Sequence, residues 1–313
     1  MKQEFSTQEL KACLERTLGF GLRSLERLDG KTWSLNFKAV RANDGLEFVA
    51  KLIPNIGDAA YEARYAQTMR HLEDLTGTKA ARLLFSSRTI RFRNYHACFL
   101  SWCPGDRLSP DQLTVEQTKA FLEDYLAFSA RMQKTTGIFK NRNGPVLKAF
   151  VLNGLCGFFG RWLRGRLEAD MPDADICHRP ELSRVIHGDF HYGNFRFDGG
   201  RLAGIFDLEE FRYGYPTEDI VRYVTCAVEH LRWYEQVRVR RIKRMFAVMV
   251  DALPYSAHEW TVALNIHFLL KVSRRIRRGF NSLKAINLLY RYSLYCELRE
   301  IARAKERMRG EGK

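Results

Sequence analysis

The stretch Val185–Phe211, "VIHGDFHYGNFRFDGGRLAGIFDLEEF", decides how the rest of the chain is read. Asp198-Gly199-Gly200 separates two short alternating runs, which predicts a hairpin. A hairpin carries residues just before its first strand, 189–194, to the same end as residues just after its second, from Asp207 onward. Asp189, Asn194 and Asp207 are therefore expected to converge, although 18 positions separate the first from the last. Two carboxylates and an amide carbonyl suit a hard cation such as Mg2+, which keeps waters and usually shares a substrate phosphate. An Asp beside such a site, not itself tied up by metal, can accept a proton from an alcohol. The bland alternative is a turn-rich hairpin whose Asp and Asn side chains only cap the backbone.

Working outward, the first hundred residues supply a complement. "TWSLNFKAVRA" and "LEFVAKLI" are alternating runs joined by "NDG", a strong hairpin signal. Lys51 lies in the second run with apolar residues on both sides, an expensive place for a lone ammonium unless a carboxylate and a phosphate compensate it. Glu62 is the candidate carboxylate, on a helix predicted over residues 58–75 with Asp58 as its N-cap. "ARLLFSSRTIRFRNYHACFLSW" reads as two further strands, which makes a small antiparallel sheet with one inserted helix. At "CPGDRLSP" the character changes, and almost everything after it is helical, including 114–135, about 145–169 and several segments after 217. A strand Lys, a helix Glu, a D-x-x-x-x-N loop and a downstream Asp are the parts of a phosphoryl-transfer site.

Taken together, these motifs resemble the aminoglycoside phosphotransferase/choline kinase family. Its catalytic loop reads H-G-D-x-x-x-x-N, matched by "HGDFHYGN"; its metal-binding strand end is matched by "IFDLEEF". Its lobe connection is matched by "LSWCPGDRL" and its later Asp by "GYPTEDIVRY". The likeness runs in order over roughly residues 20–225. It implies an α+β, bilobal protein-kinase-like fold, with a small antiparallel-sheet N-lobe holding one inserted helix and a larger, mostly helical C-lobe. The expected division is a nucleotide-binding lobe over 1–102 and a catalytic and acceptor-binding lobe over 103–313.

The resemblance further implies ATP and Mg2+ as cofactors. Asp189 would be the catalytic base, and Asn194 and Asp207 the metal ligands. Lys51 would contact the phosphates and pair with Glu62; Ser101–Cys103 would meet adenine through their backbone. His187 and Asp219 would support the loop. His191 and Tyr192 are open between acceptor contact and local packing. The phosphate loop "RLDGKTWSLNF" has one glycine, Gly30, where such loops often have several. Asp207 is followed by Leu-Glu-Glu and no A-P-E comes after, so a regulated activation segment is not expected.

Composition narrows the partners. The chain has 313 residues, 46% hydrophobic, with a net charge of +15. The last part, 222–313, carries 20 Lys and Arg against 8 Asp and Glu. "RVRRIKR" and "KVSRRIRRGF" could attract an anionic substrate or an anionic membrane surface, or could simply be solvated helix faces. Seven scattered Cys without C-x-x-C argue against zinc and for reduced thiols. The N-terminus reads as an amphipathic helix, and the longest apolar run, "AFVLNGLCGFFG" (149–160), is too short to span a bilayer and reads as a buried core helix. The expected location is cytoplasmic.

The acceptor should be chosen by residues from about 225 onward, where a cationic substrate would call for clustered carboxylates. Arg and Lys stand there instead, which points to a sugar or an anionic glycan or lipid-linked acceptor. The alternatives are an amino-alcohol kinase of the aminoglycoside or choline type, and a basic kinase-fold protein that binds nucleic acid or anionic membrane. The metal-ligand set argues against that last reading and against nucleic acid as a partner.

Overall fold

The computed structural model describes residues 5–28, 34–54, 81–85, 90–134, 144–155, 157–229, 231, 234–277 and 282–310. The helix expected over 58–75, with Glu62, and the loop residue Gly30 lie outside the described residues. The chain divides into two compact units. One comprises Met1–Gly105, Lys134–Gly137 and Ala203–Glu209, the other Asp106–Gln133, Ile138–Leu202 and Glu210–Lys313. The segment around Asp207 thus groups with the first hundred residues.

Among the described residues, the first unit is an antiparallel sheet covered by one helix. Helix α1 (Thr7–Leu18) starts at a capping box, in which Ser6 and Glu9 satisfy each other's backbone N–H, and stops at Gly19 in the left-handed region. Strands β1 (Leu22–Arg27), β2 (Leu35–Arg41), β3 (Glu47–Pro54), β4 (Leu83–Leu84), β5 (Ile90–Phe92) and β6 (Tyr95–Ser101) pair in the order β1-β2-β3-β6-β4, with β5 also on β6. "NDG" closes β2 onto β3 as expected, with Gly45 at φ +73. Two strands were expected after residue 81 and three form, because Arg93, at φ +51, turns β5 back onto β6.

Period-two alternation sorts β3. Phe48, Ala50 and Leu52 enter a core with Leu10 and Leu14 of α1 and with Phe37, Ala39, Ala97 and Phe99 of the neighbouring strands. Lys51 is on the other face, between Asn36 of β2 and Cys98 of β6. Each large apolar side chain buried in that core contributes roughly 1.5–3 kcal/mol.

The second unit is mostly helical. It holds α2 (Val115–Met132), α3 (Gly144–Gly154), α4 (Gly157–Asp170), α5 (Pro216–Glu229), α6 (Gln236–Ala252), α7 (Ala257–Arg277) and α8 (Ser282–Gly310). Strands β7 (Arg184–Ile186) and β10 (Arg212–Gly214) form one small antiparallel pair. Strands β8 (Phe195–Asp198) and β9 (Arg201–Ile205) form the hairpin read from the sequence. Helix α7 is buried along most of its length and packs against α3, α5 and α8. The run 149–160 is not one buried helix: α3 ends at Gly154, α4 starts at Gly157 with φ +72, and Phe150 is exposed. Glycine at 154 has a packing reason, since a Cβ there would lie 2.7 Å from Ile276 of α7. No helix among the described residues is long and apolar enough to cross a membrane.

Candidate active site

In the first unit, Lys51 is 5% exposed and its Nζ donates to Asp207 Oδ1 at 2.6 Å. A buried ammonium without an anionic partner is costly, so this ion pair meets the demand that its strand position creates. Asp207 follows β9 and has φ +56, a region that Asp tolerates better than most side chains. The end of β6 lies in the same unit. Ser101 N–H donates to Arg82 O at 2.8 Å, and Cys103 is buried against Gly204, where a Cβ would come within 2.4 Å of its sulfur.

In the second unit, the loop 187–194 is fastened from below. Asp219, in the first turn of α5, accepts from His187 N–H and Gly188 N–H, each at 2.9 Å, and from the Tyr125 hydroxyl at 3.2 Å. Burial pushes the Asp219 carboxyl up, and these donors work against that shift. Gly188 has φ +82 and runs so close to Glu210 that a Cβ would fall 2.1 Å from its carbonyl oxygen. Only glycine fits there. Phe190 is fully buried, 5.0 Å from the Tyr125 ring and 4.8 Å from Phe195, with Phe121 at 6.0 Å. The aromatic anchor fixes one side of the loop while Asp189 takes the other.

Asp189 lies among polar partners. Arg222 Nε and Nη2 both reach its Oδ1 at 3.1 Å, and His191 Nε2 is 3.5 Å from its Oδ2. Gly193 N–H donates to His191 Nδ1 at 3.0 Å, which puts the ring proton on Nε2, facing the carboxylate. Burial pushes the Asp189 carboxyl up, but the His191 hydrogen bond and the Arg222 charge outweigh it and hold the group well below the ordinary carboxylate range. Asn194 Nδ2 donates to Asp189 O at 3.0 Å. That bond fixes which end of the amide is the oxygen. Asn194 and Asp207, an amide oxygen and a carboxylate, fit a hard cation by their chemistry.

A cavity of about 260 Å³ opens beside Asp189, lined also by Glu210, Arg222, Glu229, His267, Lys271 and Arg274. Lys271 Nζ is 2.5 Å from Glu229 Oε2. Burial, with Arg291 and Arg275 nearby, nonetheless lowers the Lys271 ammonium to about 8. Neither Arg222 nor Glu229 was singled out from sequence. The available signal was helical phase, because Arg222, Cys226 and Glu229 recur at helical spacing on α5 after Asp219.

A second cluster was also missed. Glu218 is fully buried between Arg212 Nη2 at 2.7 Å and His178 Nε2 at 2.6 Å, and it accepts from Tyr215 N–H at 3.0 Å. Burial pushes its carboxyl up, but Arg212 and His178 hold it well below its usual range. This cluster ties the start of α5 to β10.

These features describe a kinase-like chain, and comparison with known proteins agrees. The sequence model of the phosphotransferase enzyme family (APH) matches residues 24–247, and the chain belongs to that family. Among curated proteins none matches. Among solved structures it is similar to an amicoumacin kinase, hAmiN, in complex with AMP-PNP, Ca2+ and Ami, at 11% identity and TM-score 0.61, covering 94% of this chain and 96% of that one. It is also similar to ADP-bound aminoglycoside phosphotransferase APH(2'')-Ib, at 14% identity and TM-score 0.61, over 95% and 99% of the two chains. A third is the aminoglycoside phosphotransferase from Alicyclobacillus acidocaldarius, at 15% identity and TM-score 0.59, over 100% and 98%. At such identities the likeness is one of fold, the α+β protein-kinase-like fold expected from the motifs.

Proposed function

We propose that the protein is a kinase that uses ATP and Mg2+ to phosphorylate a hydroxyl of a small, non-protein acceptor. The observation that carries this reading is the Asp189 carboxylate, set at the wall of a cavity on an H-G-D-x-x-x-x-N loop that Asp219 and Phe190 hold rigid. Asp189 orients the acceptor hydroxyl and takes its proton as the oxygen bonds to the γ-phosphorus and the bond from that phosphorus to its bridging oxygen breaks. Lys51 binds the nucleotide phosphates. By the family resemblance Glu62 would pair with it and Gly30 would cover the phosphates, while the Ser101–Cys103 backbone would meet adenine. Asn194 and Asp207 would hold Mg2+, which supplies charge neutralisation at the phosphates. The nucleotide reading is supported by relatives whose solved structures carry AMP-PNP or ADP.

The acceptor reading is a sugar or an anionic glycan or lipid-linked molecule. It is supported by Arg222, Lys271 and Arg274 in the cavity wall, where a cationic acceptor would need an excess of carboxylates. The test is phosphate transfer from radiolabelled MgATP to a panel of neutral sugars, sugar phosphates, aminoglycosides and choline. Transfer to sugars or sugar phosphates, lost in Asp189→Asn, supports the proposal. Preference for aminoglycosides or choline would overturn the acceptor reading, and absence of nucleotide turnover with every acceptor would overturn the kinase reading.

A further inference from the structure

Arg222 stands in two places at once. Its guanidinium makes both of its close contacts to a single oxygen of Asp189, Nε and Nη2 each at 3.1 Å from Oδ1, and the same side chain lines the cavity. Arg222 reaches only Oδ1 of the carboxylate, Oδ2 facing His191 and the Asn194 amide, so the planar fork is not in the paired, two-oxygen arrangement that a carboxylate and an arginine prefer. Arg222 is 14% exposed and Asp189 33%, so the pair is reachable from the cavity. The remaining cations of the wall come from α7. Lys271 is held by Glu229, and Arg274 is exposed at the next turn.

We infer that the cavity takes an acceptor bearing a phosphate or carboxylate beside its reactive hydroxyl, and that this anionic group draws Arg222 off Asp189. The inference rests on the kinase reading for its catalytic meaning, though not for its anion-binding content. Arg222 and Lys271 then form the anion seat, with two planar donors from one side and a point charge from the other. Losing the Arg222 contact leaves Asp189 with His191 and with the Asn194 amide, and its Oδ1 is opened toward the acceptor hydroxyl. An acceptor without the anionic group leaves the base clasped. Arg222 is thus a positioning residue and Lys271 a specificity-determining one. The device links choice of substrate to availability of the base, and a neutral molecule of the same shape, water included, does not release it.

The test uses the full chain and inorganic phosphate as the first probe. Calorimetric titration of phosphate into the protein should show binding, weakened at least tenfold in Arg222→Gln and in Lys271→Met, with melting curves confirming that both variants fold. Phosphate binding that neither variant disturbs, or no binding by the wild-type chain, overturns the inference. The second probe is transfer from MgATP to glucose, glucose phosphates and glucuronate. The wild-type chain should prefer the charged acceptors in kcat as well as KM, and Arg222→Gln should lose the kcat preference. Arg222→Lys, which keeps the charge and loses the fork, should recover KM more than kcat. Turnover with a preference for neutral or cationic acceptors would sink the inference and leave the kinase reading standing. Phosphate binding that depends on Arg222 without nucleotide turnover would keep the anion seat and sink the kinase reading.

Discussion

Lys51 Nζ lies 2.6 Å from Asp207 Oδ1, although 156 positions separate the two residues. The pair joins the middle of the sheet to the residue that follows the β8–β9 hairpin. Its asymmetry is informative, because the lysine side chain is 6% exposed and the aspartate 36%. Lys51→Met keeps the apolar stem in its slot and leaves a carboxylate that water can hydrate. Nucleotide turnover is expected to fall about 10²–10³-fold with the fold retained. A coupled assay beside a melting curve checks this, and near-normal turnover contradicts the role given to Lys51.

Asp189→Asn preserves shape and removes the proton acceptor. The expected loss in kcat is about 10²–10⁴-fold, with nucleotide KM changed little. Steady-state kinetics on any accepted substrate decide it, and a variant with full kcat removes Asp189 from the chemistry.

Asp219 accepts two backbone amides and a hydroxyl in a fully buried place. Asp219→Ala strands all three donors, each costing roughly 1–3 kcal/mol when left unsatisfied. Urea unfolding should show a loss above about 3 kcal/mol, against no measurable change for Asp198→Ala on the exposed hairpin turn. Equal midpoints for the two variants would be incompatible with the observed anchoring.

Glu218 gives stability a pH dependence with a definite sign. Its carboxyl is held below its ordinary value of 4.5 in the folded chain, so its contribution is present above that pH and lost as pH falls through and below it. Arg212→Met leaves a buried carboxylate with only His178 and the Tyr215 amide as partners and should cost about 3–5 kcal/mol at neutral pH. Melting temperatures of both proteins from neutral to acidic pH provide the check. A wild-type curve that stays flat under acid, or an unshifted variant, contradicts it.

Lys271 titrates near 8, lowered by burial and by Arg291 and Arg275 against the opposing pull of Glu229. Its charge is present below that pH and lost above it. KM for an anionic acceptor should therefore rise as pH passes about 8, while a neutral acceptor shows no such inflection. In Lys271→Arg the inflection should disappear from the accessible range. An unchanged profile in that variant would assign the titration to another group.

The sequence made some of this legible for physical reasons. An ammonium between apolar strand residues demands a counter-ion, so Lys51 could be singled out; that Asp207 reaches it depends on the path of a distant hairpin. The "DGG" turn declares itself through residues that accept positive φ, as Gly199 and Gly200 do. Strand β1 escaped notice because "LRSLER" is half charged and buries only Leu22 and Leu25. The break in 149–160 was hidden by an apolar composition, although Gly157 supplies the left-handed residue that ends the run. Arg222 and Lys271 are ordinary basic residues in a basic region, and their meaning comes from partners on other elements, Asp189 and Glu229.

The clasp of Asp219 on two successive amides has a consequence for motion. The amide hydrogens of His187 and Gly188 are bonded to a buried carboxylate that the Tyr125 hydroxyl also holds, so their exchange requires breaking those bonds. In deuterated water these two positions should belong to the slowest-exchanging class, while that of the exposed Gly199 at the hairpin tip exchanges early. The segment that carries the base is thus a rigid floor, and whatever adapts to an arriving molecule must be side chains.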